Sequence, residues 1–90
     1  MALTKNFFVY FSDFPTELDD FVKEDGQMSI LKDGVRATKG GKFPRLTVRV
    51  KPVSISHDTD RVRDLVNILQ RLQATGQIIG FSQVRTLTSF

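Results

Sequence analysis

Ninety residues, 40% hydrophobic and 26% charged, suit one compact α+β domain over residues 1–90 with a single core, and exclude a disordered chain. The absence of cysteine removes disulfides, thiolate metal sites and cysteine nucleophiles, and fits an intracellular, cytoplasmic protein. The net charge of +3 is segregated: residues 1–30 carry −4, residues 31–51 carry +6 with Asp33 their one acid, and residues 52–90 carry +1, so the chain has a field with direction.

"KNFFVYFS" (residues 5–12) is aromatic and β-branched with almost no polar interruption, which predicts a strand partly covered on both faces. Its "FFVYF" is the longest apolar run, far short of a signal-peptide core or the ~20 residues of a membrane-spanning helix. The chain starts at Met without a tag and reads as a complete small protein. In "SDFPTELDDFVKEDG" (residues 12–26), Phe14, Leu18, Phe21 and Val22 recur on one helical face. Ser12 or Asp13 is the expected cap, Pro15 suits the first turn, and Gly26 suits the end. The acids of this helix sit near its positive end.

"MSILKDGVRAT" carries Asp33-Gly34 between apolar stretches, a two-residue hairpin signal because both positions favour φ > 0. "KGGK" (residues 39–42) reads as a second, looser turn. From Phe43 a long strand is expected, with Leu46, Val48 and Val50 on one side and Arg45, Thr47, Arg49 and Lys51 on the other. Pro52 marks an edge or bend, after which Val53 and Ile55 resume the alternation. "HDTDRVRDLVNILQRLQATG" (residues 57–76) predicts a long helix. Its stripe is Val62, Leu65, Val66, Leu69 and Leu72, flanked by Ile68, with Asp58 or Thr59 as cap and Gly76 at the left-handed stop. A last strand over residues 77–88 has Ile79 and Phe81 in phase but Val84 and Leu87 out of it, which a bulge near Ser82 would repair.

The predicted order is β-α-β-β-β-α-β, with four or five antiparallel strands and both helices on one sheet face, the other face open. This resembles a ferredoxin-like βαββαβ arrangement with an added hairpin. The RNA recognition motif shares that element order, with an aromatic in its first strand and a basic-aromatic stretch in its third. "FFVYFSDF" and "KGGKFPRLTVRV" stand in those places, although Phe43 is the one aromatic of the second stretch and Pro44 falls inside it.

Why should a half-buried strand carry cations at its outward positions? Alternate residues on one sheet face lie about 7 Å apart, a spacing that matches phosphates. Arg45, Arg49 and Lys51 would form such a stripe, Lys39 and Lys42 lie on a glycine turn, and Lys32 and Arg36 flank the neighbouring turn. Phe8 and Tyr10, or else Phe7 and Phe11, would add stacking platforms beside them, as single-stranded nucleic acid requires. The plain alternative is that these cations keep an open sheet soluble and discourage edge pairing.

"SHDTD" (residues 56–60) places Ser, His and Asp in succession, but contiguous side chains fan apart and cannot line up as nucleophile, base and orienter. His57, Asp58 and Asp60 lack a second ligand cluster, so no metal site is expected; acids at a helix start explain them. Glu17, Asp19, Asp20, Glu24 and Asp25 lack the spacing of a calcium loop, and no phosphate-binding glycine motif occurs. No catalytic residue or cofactor is therefore expected, and the chain reads as non-enzymatic. Two functions fit. One is binding of RNA or single-stranded DNA through the basic region. The other is protein interaction, as a self-associating subunit or homodimer, or as a small regulator or inhibitor on a larger partner, of the kind phage and viral genomes encode. Neither involves a membrane.

Overall fold

The computed structural model describes residues 4–84. Along the chain run β1 (Lys5–Tyr10), α1 (Thr16–Asp25), β2 (Met28–Thr38), β3 (Gly41–Val50), α2 (Ile55–Ala74) and β4 (Gly80–Val84). The four strands form one antiparallel sheet in the order β2-β3-β1-β4. The register sets Phe7 opposite Val48, Val9 opposite Leu46 and Met28 opposite Val50. These side chains share one sheet face, and both helices bury their apolar stripes on it. Leu18 and Val22 come from α1, and Leu65, Leu69 and Leu72 from α2, all in one core cluster with Ile78. Burying each such leucine contributes about 1.5–3 kcal/mol. Phe21, Val62, Val66 and Ile68 pack at its margin, as the helical periodicities require, and Phe14 packs there too, although it precedes α1 rather than opening its apolar face.

Asp33-Gly34 does not turn the chain. β2 runs straight through it, so there are four strands and no added hairpin. The partners shift between Lys32 and Gly34, which leaves Asp33 as the extra residue of a β-bulge, with Gly34 at φ +78°. A bulge and a primed turn both call for a left-handed glycine, so the dipeptide signals either. The reversal occurs at Lys39-Gly40, where Thr38 Oγ accepts from Gly40 N–H at 3.2 Å and donates to the Gly41 carbonyl at 2.8 Å. "KGGK" is thus the tight turn, not the looser one.

Pro44 lies within β3 without breaking it. Its carbonyl accepts from Phe11 N–H at 3.1 Å, so its nitrogen faces the same side, beyond the end of β1, where no donor is required. β3 ends at Val50, and Val53 and Ile55 do not resume a strand: Ile55 already opens α2. The cap of α1 is Pro15 without a side-chain bond, rather than Ser12 or Asp13. Gly26 closes α1 in the left-handed conformation, as expected. Ser54, not Asp58 or Thr59, caps α2 by accepting from His57 N–H at 3.2 Å. β4 pairs with β1 without a register shift, so no bulge occurs near Ser82. Ile79 precedes the strand and is exposed while Ile78 is buried, and the expected strand positions 85–88, Leu87 among them, lie outside the described residues.

Arg61 ties three elements together. Its guanidinium pairs with Asp25 at the end of α1 and with Asp58 at 3.3 Å, and it donates to the Lys51 carbonyl at 3.3 Å. Asp58 in turn accepts from Val53 N–H at 2.9 Å. The Arg61 hydrogen bond holds the Asp25 carboxyl below its ordinary range, against the opposing pull of burial. Among the described residues, no helix is long and apolar enough to cross a membrane.

Candidate functional site

Alternation along β1 and β3 fixes what the uncovered sheet face presents. Because Phe7 and Val9 enter the core, Phe8 and Tyr10 stand on the other side, and both remain partly accessible. This decides between the two aromatic pairs: Phe7 is core, and Phe11 packs against the core, its ring perpendicular to that of Phe14 with centroids 5.8 Å apart. On β3, Phe43, Arg45, Thr47 and Arg49 alternate onto the face of Phe8 and Tyr10. Arg45 lies opposite Tyr10, and Arg49 opposite Asn6. The Asn6 side-chain oxygen, on that face, is buried without a hydrogen-bond partner among the described residues.

Arg45 is the centre of a network. Its guanidinium carbon sits 3.8 Å from the centre of the Phe8 ring, a cation–π contact. Its Nε donates to Asp33 at 3.0 Å, and the same carboxylate oxygen accepts from the Thr47 hydroxyl at 2.5 Å. Burial opposes the charge of Arg45, yet contacts to Tyr10 and Asp33 outweigh it and raise its pKa above the ordinary value. Arg45 is therefore charged, pinned and already matched by an acid.

The other cations are differently placed. Arg36, Lys39, Lys42, Arg49 and Lys51 are exposed, and none has an acidic partner among the described residues. Arg36 pairs with Phe43 and shares the open face, whereas Lys42 pairs with Ala37 and points to the opposite side. Lys32 also lies on the helix side, its ammonium 5.0 Å from the Phe14 ring centre. Lys51 follows the last residue of β3, and its N–H still donates to the Gln27 carbonyl at 2.9 Å. Lys32 and Arg36 thus flank a bulge, and Lys39 stands on the turn itself. That turn, with Tyr10, Ile79 and Phe81, borders a cleft of ≈ 380 Å³.

Two participants escaped the sequence reading. Asp33 was legible as the one acid in a segment of +6, but its assignment to a turn hid its role. Thr47, buried on the open face, carried no signal beyond its alternation with Arg45 and Arg49. The residues around "SHDTD" form the first turns of α2, and among the described residues no cluster of three or more His, Asp or Glu side chains could hold a metal. Comparison with protein-family models, curated proteins and solved structures gives no match.

Proposed function

We propose that this chain is a small, non-enzymatic protein of the cell interior that binds RNA or single-stranded DNA across its open sheet face and the β2–β3 hairpin. The layout supports a ferredoxin-like βαββαβ reading, the arrangement the RNA recognition motif also uses. One observation carries the proposal. The only acid of residues 31–51 is taken up by Arg45, so Arg36, Lys39, Lys42, Arg49 and Lys51 stand on the hairpin and its end without an acidic partner among the described residues, and Arg36 and Arg49 share the open face with the accessible Phe8 and Tyr10. Uncompensated cations attract phosphates, and partly exposed rings stack on unpaired bases.

The test is fluorescence anisotropy of a mixed-sequence single-stranded oligonucleotide at several salt concentrations. Each phosphate neutralised contributes roughly −0.7 to the slope of log K against log salt on a single strand. Arg49→Ala with Lys51→Ala should flatten that slope by about 1.4. Arg45→Ala should not flatten it as a free cation would, because Asp33 already matches its charge. Phe8→Ala should cost about 1–3 kcal/mol of affinity with little change in slope. Absence of binding by the wild type at low salt refutes the proposal.

A second reading, docking on a protein partner or on another copy, draws support from β2. This long outer strand exposes Leu31 and Val35, at 44% and 61% of their full area. A discrete oligomer free of nucleic acid on purification would favour it.

A further inference from the structure

The bulge of β2 places a carboxylate on the face that carries Phe8, Tyr10, Arg36, Arg45 and Arg49. Without the extra residue, the register would run on unbroken; with it, Asp33 reaches across to β3 and engages both Arg45 and Thr47. A bulge commonly re-aims a side chain at a functional site. The acid here does something specific: it supplies the negative partner that a ligand phosphate would otherwise supply, and it fixes the guanidinium over Phe8.

We propose that Asp33 is a built-in counter-ion that holds Arg45 off ligand phosphates, keeping it within the surface offered to bases and setting a limit on affinity for phosphate backbones. This rests on the nucleic-acid reading above and adds a specificity-determining residue to it. A phosphate approaching Arg45 must displace a carboxylate already in hydrogen-bond contact, so Arg45 contributes no net counter-ion release. Removing the charge of Asp33 converts Arg45 into a phosphate contact.

Asp33→Asn keeps the size of the side chain and an oxygen for the Thr47 hydroxyl. In the anisotropy titration it should steepen the salt slope by about 0.7, one additional phosphate contact on a single strand. Binding at low salt should tighten by roughly five- to ten-fold, the gain that slope implies between about 50 mM and 1 M salt. Asp20→Asn on α1 makes the same change in net charge and should leave the slope at the wild-type value. The double variant Asp33→Asn/Arg45→Ala restores a neutral pair and should return the slope to the wild-type value, a reversal that a merely structural role of Asp33 does not produce. Asp33→Ser, which replaces the carboxylate by a neutral hydroxyl, should give the same sign if the asparagine variant folds poorly. Wild-type binding with no gain in either Asp33 variant, or an equal gain in Asp20→Asn, overturns the role of Asp33 and leaves the binding reading standing. Failure of the wild type to bind the oligonucleotide overturns both.

Discussion

Replacing Arg61 by alanine tests how α1, α2 and the end of β3 are joined. The side chains of Arg61, Asp25 and Asp58 retain only 7%, 14% and 9% of their exposure. Truncating Arg61 strands two carboxylates in a poorly hydrated place and removes a donor from the Lys51 carbonyl. Breaking a buried pair by deleting one partner costs about 3–5 kcal/mol. Water still reaches the rim of Asp25, so the lower end, about 3 kcal/mol, applies. For a domain of this size, each kcal/mol moves the thermal midpoint by about 4–8 °C, so the variant should melt more than about 10 °C lower.

The effect must also depend on pH. A carboxyl whose folded pKa is depressed contributes stability above its unfolded value, here 3.8, and that contribution is lost as pH falls through the folded pKa. Without Arg61 the Asp25 carboxyl loses the partner that favours its charged form, so the penalty at about pH 7 should shrink toward about pH 3.5. Converting the Asp25 pair, as Arg61→Met with Asp25→Asn, should recover part of the loss, because Asp58 alone then remains charged there and still accepts from Val53 N–H. Urea unfolding followed by circular dichroism at both pH values measures this directly. A loss below about 1 kcal/mol, the scale of an exposed pair, or a loss independent of pH, refutes the reasoning.

Leu69→Ala removes a side chain with no accessible surface from the centre of the α2 stripe and should cost about 2–5 kcal/mol by the same unfolding assay; under half a kcal/mol would reject its place in the core. A Cβ added at Gly34 meets no atom within 4 Å, so the cost of Gly34→Val should be mainly backbone strain, about 1–2 kcal/mol, and Gly34→Asn should be nearly neutral. Equal destabilisation by both would place the cause in packing rather than in φ. Asp19→Asn with Asp20→Asn, on the acidic helix, should leave oligonucleotide affinity within two-fold by anisotropy, a near-neutral change expected because like-signed acids do not contact phosphate. Loss of a protein partner on that change would favour the interaction reading.

Both helices, their buried stripes and the Gly26 stop were legible in the sequence, because a 3.6-residue periodicity and a left-handed glycine are local signals. The inward row Leu46, Val48 and Val50 was equally legible from period-two alternation, and so was the clustering of charge. What local signals leave open is pairing. Asp33-Gly34 satisfies a turn and a bulge alike, and only the ten-residue register between β2 and β3 decides for the bulge. Which aromatics of "FFVYF" face outward depends on which side the helices cover, a tertiary fact that sends Phe7 inward and Phe8 to Arg45. The cap of α2 was misplaced because Asp58 is drawn instead to Val53 N–H and to Arg61, partners five residues back and one turn on. The cations of the row differ for a related reason: Arg45 finds an acid twelve residues earlier in the chain. Composition determined how much positive charge this segment carries. Only the folded sheet decided which of those charges is already matched, because strand register sets what each side chain can reach.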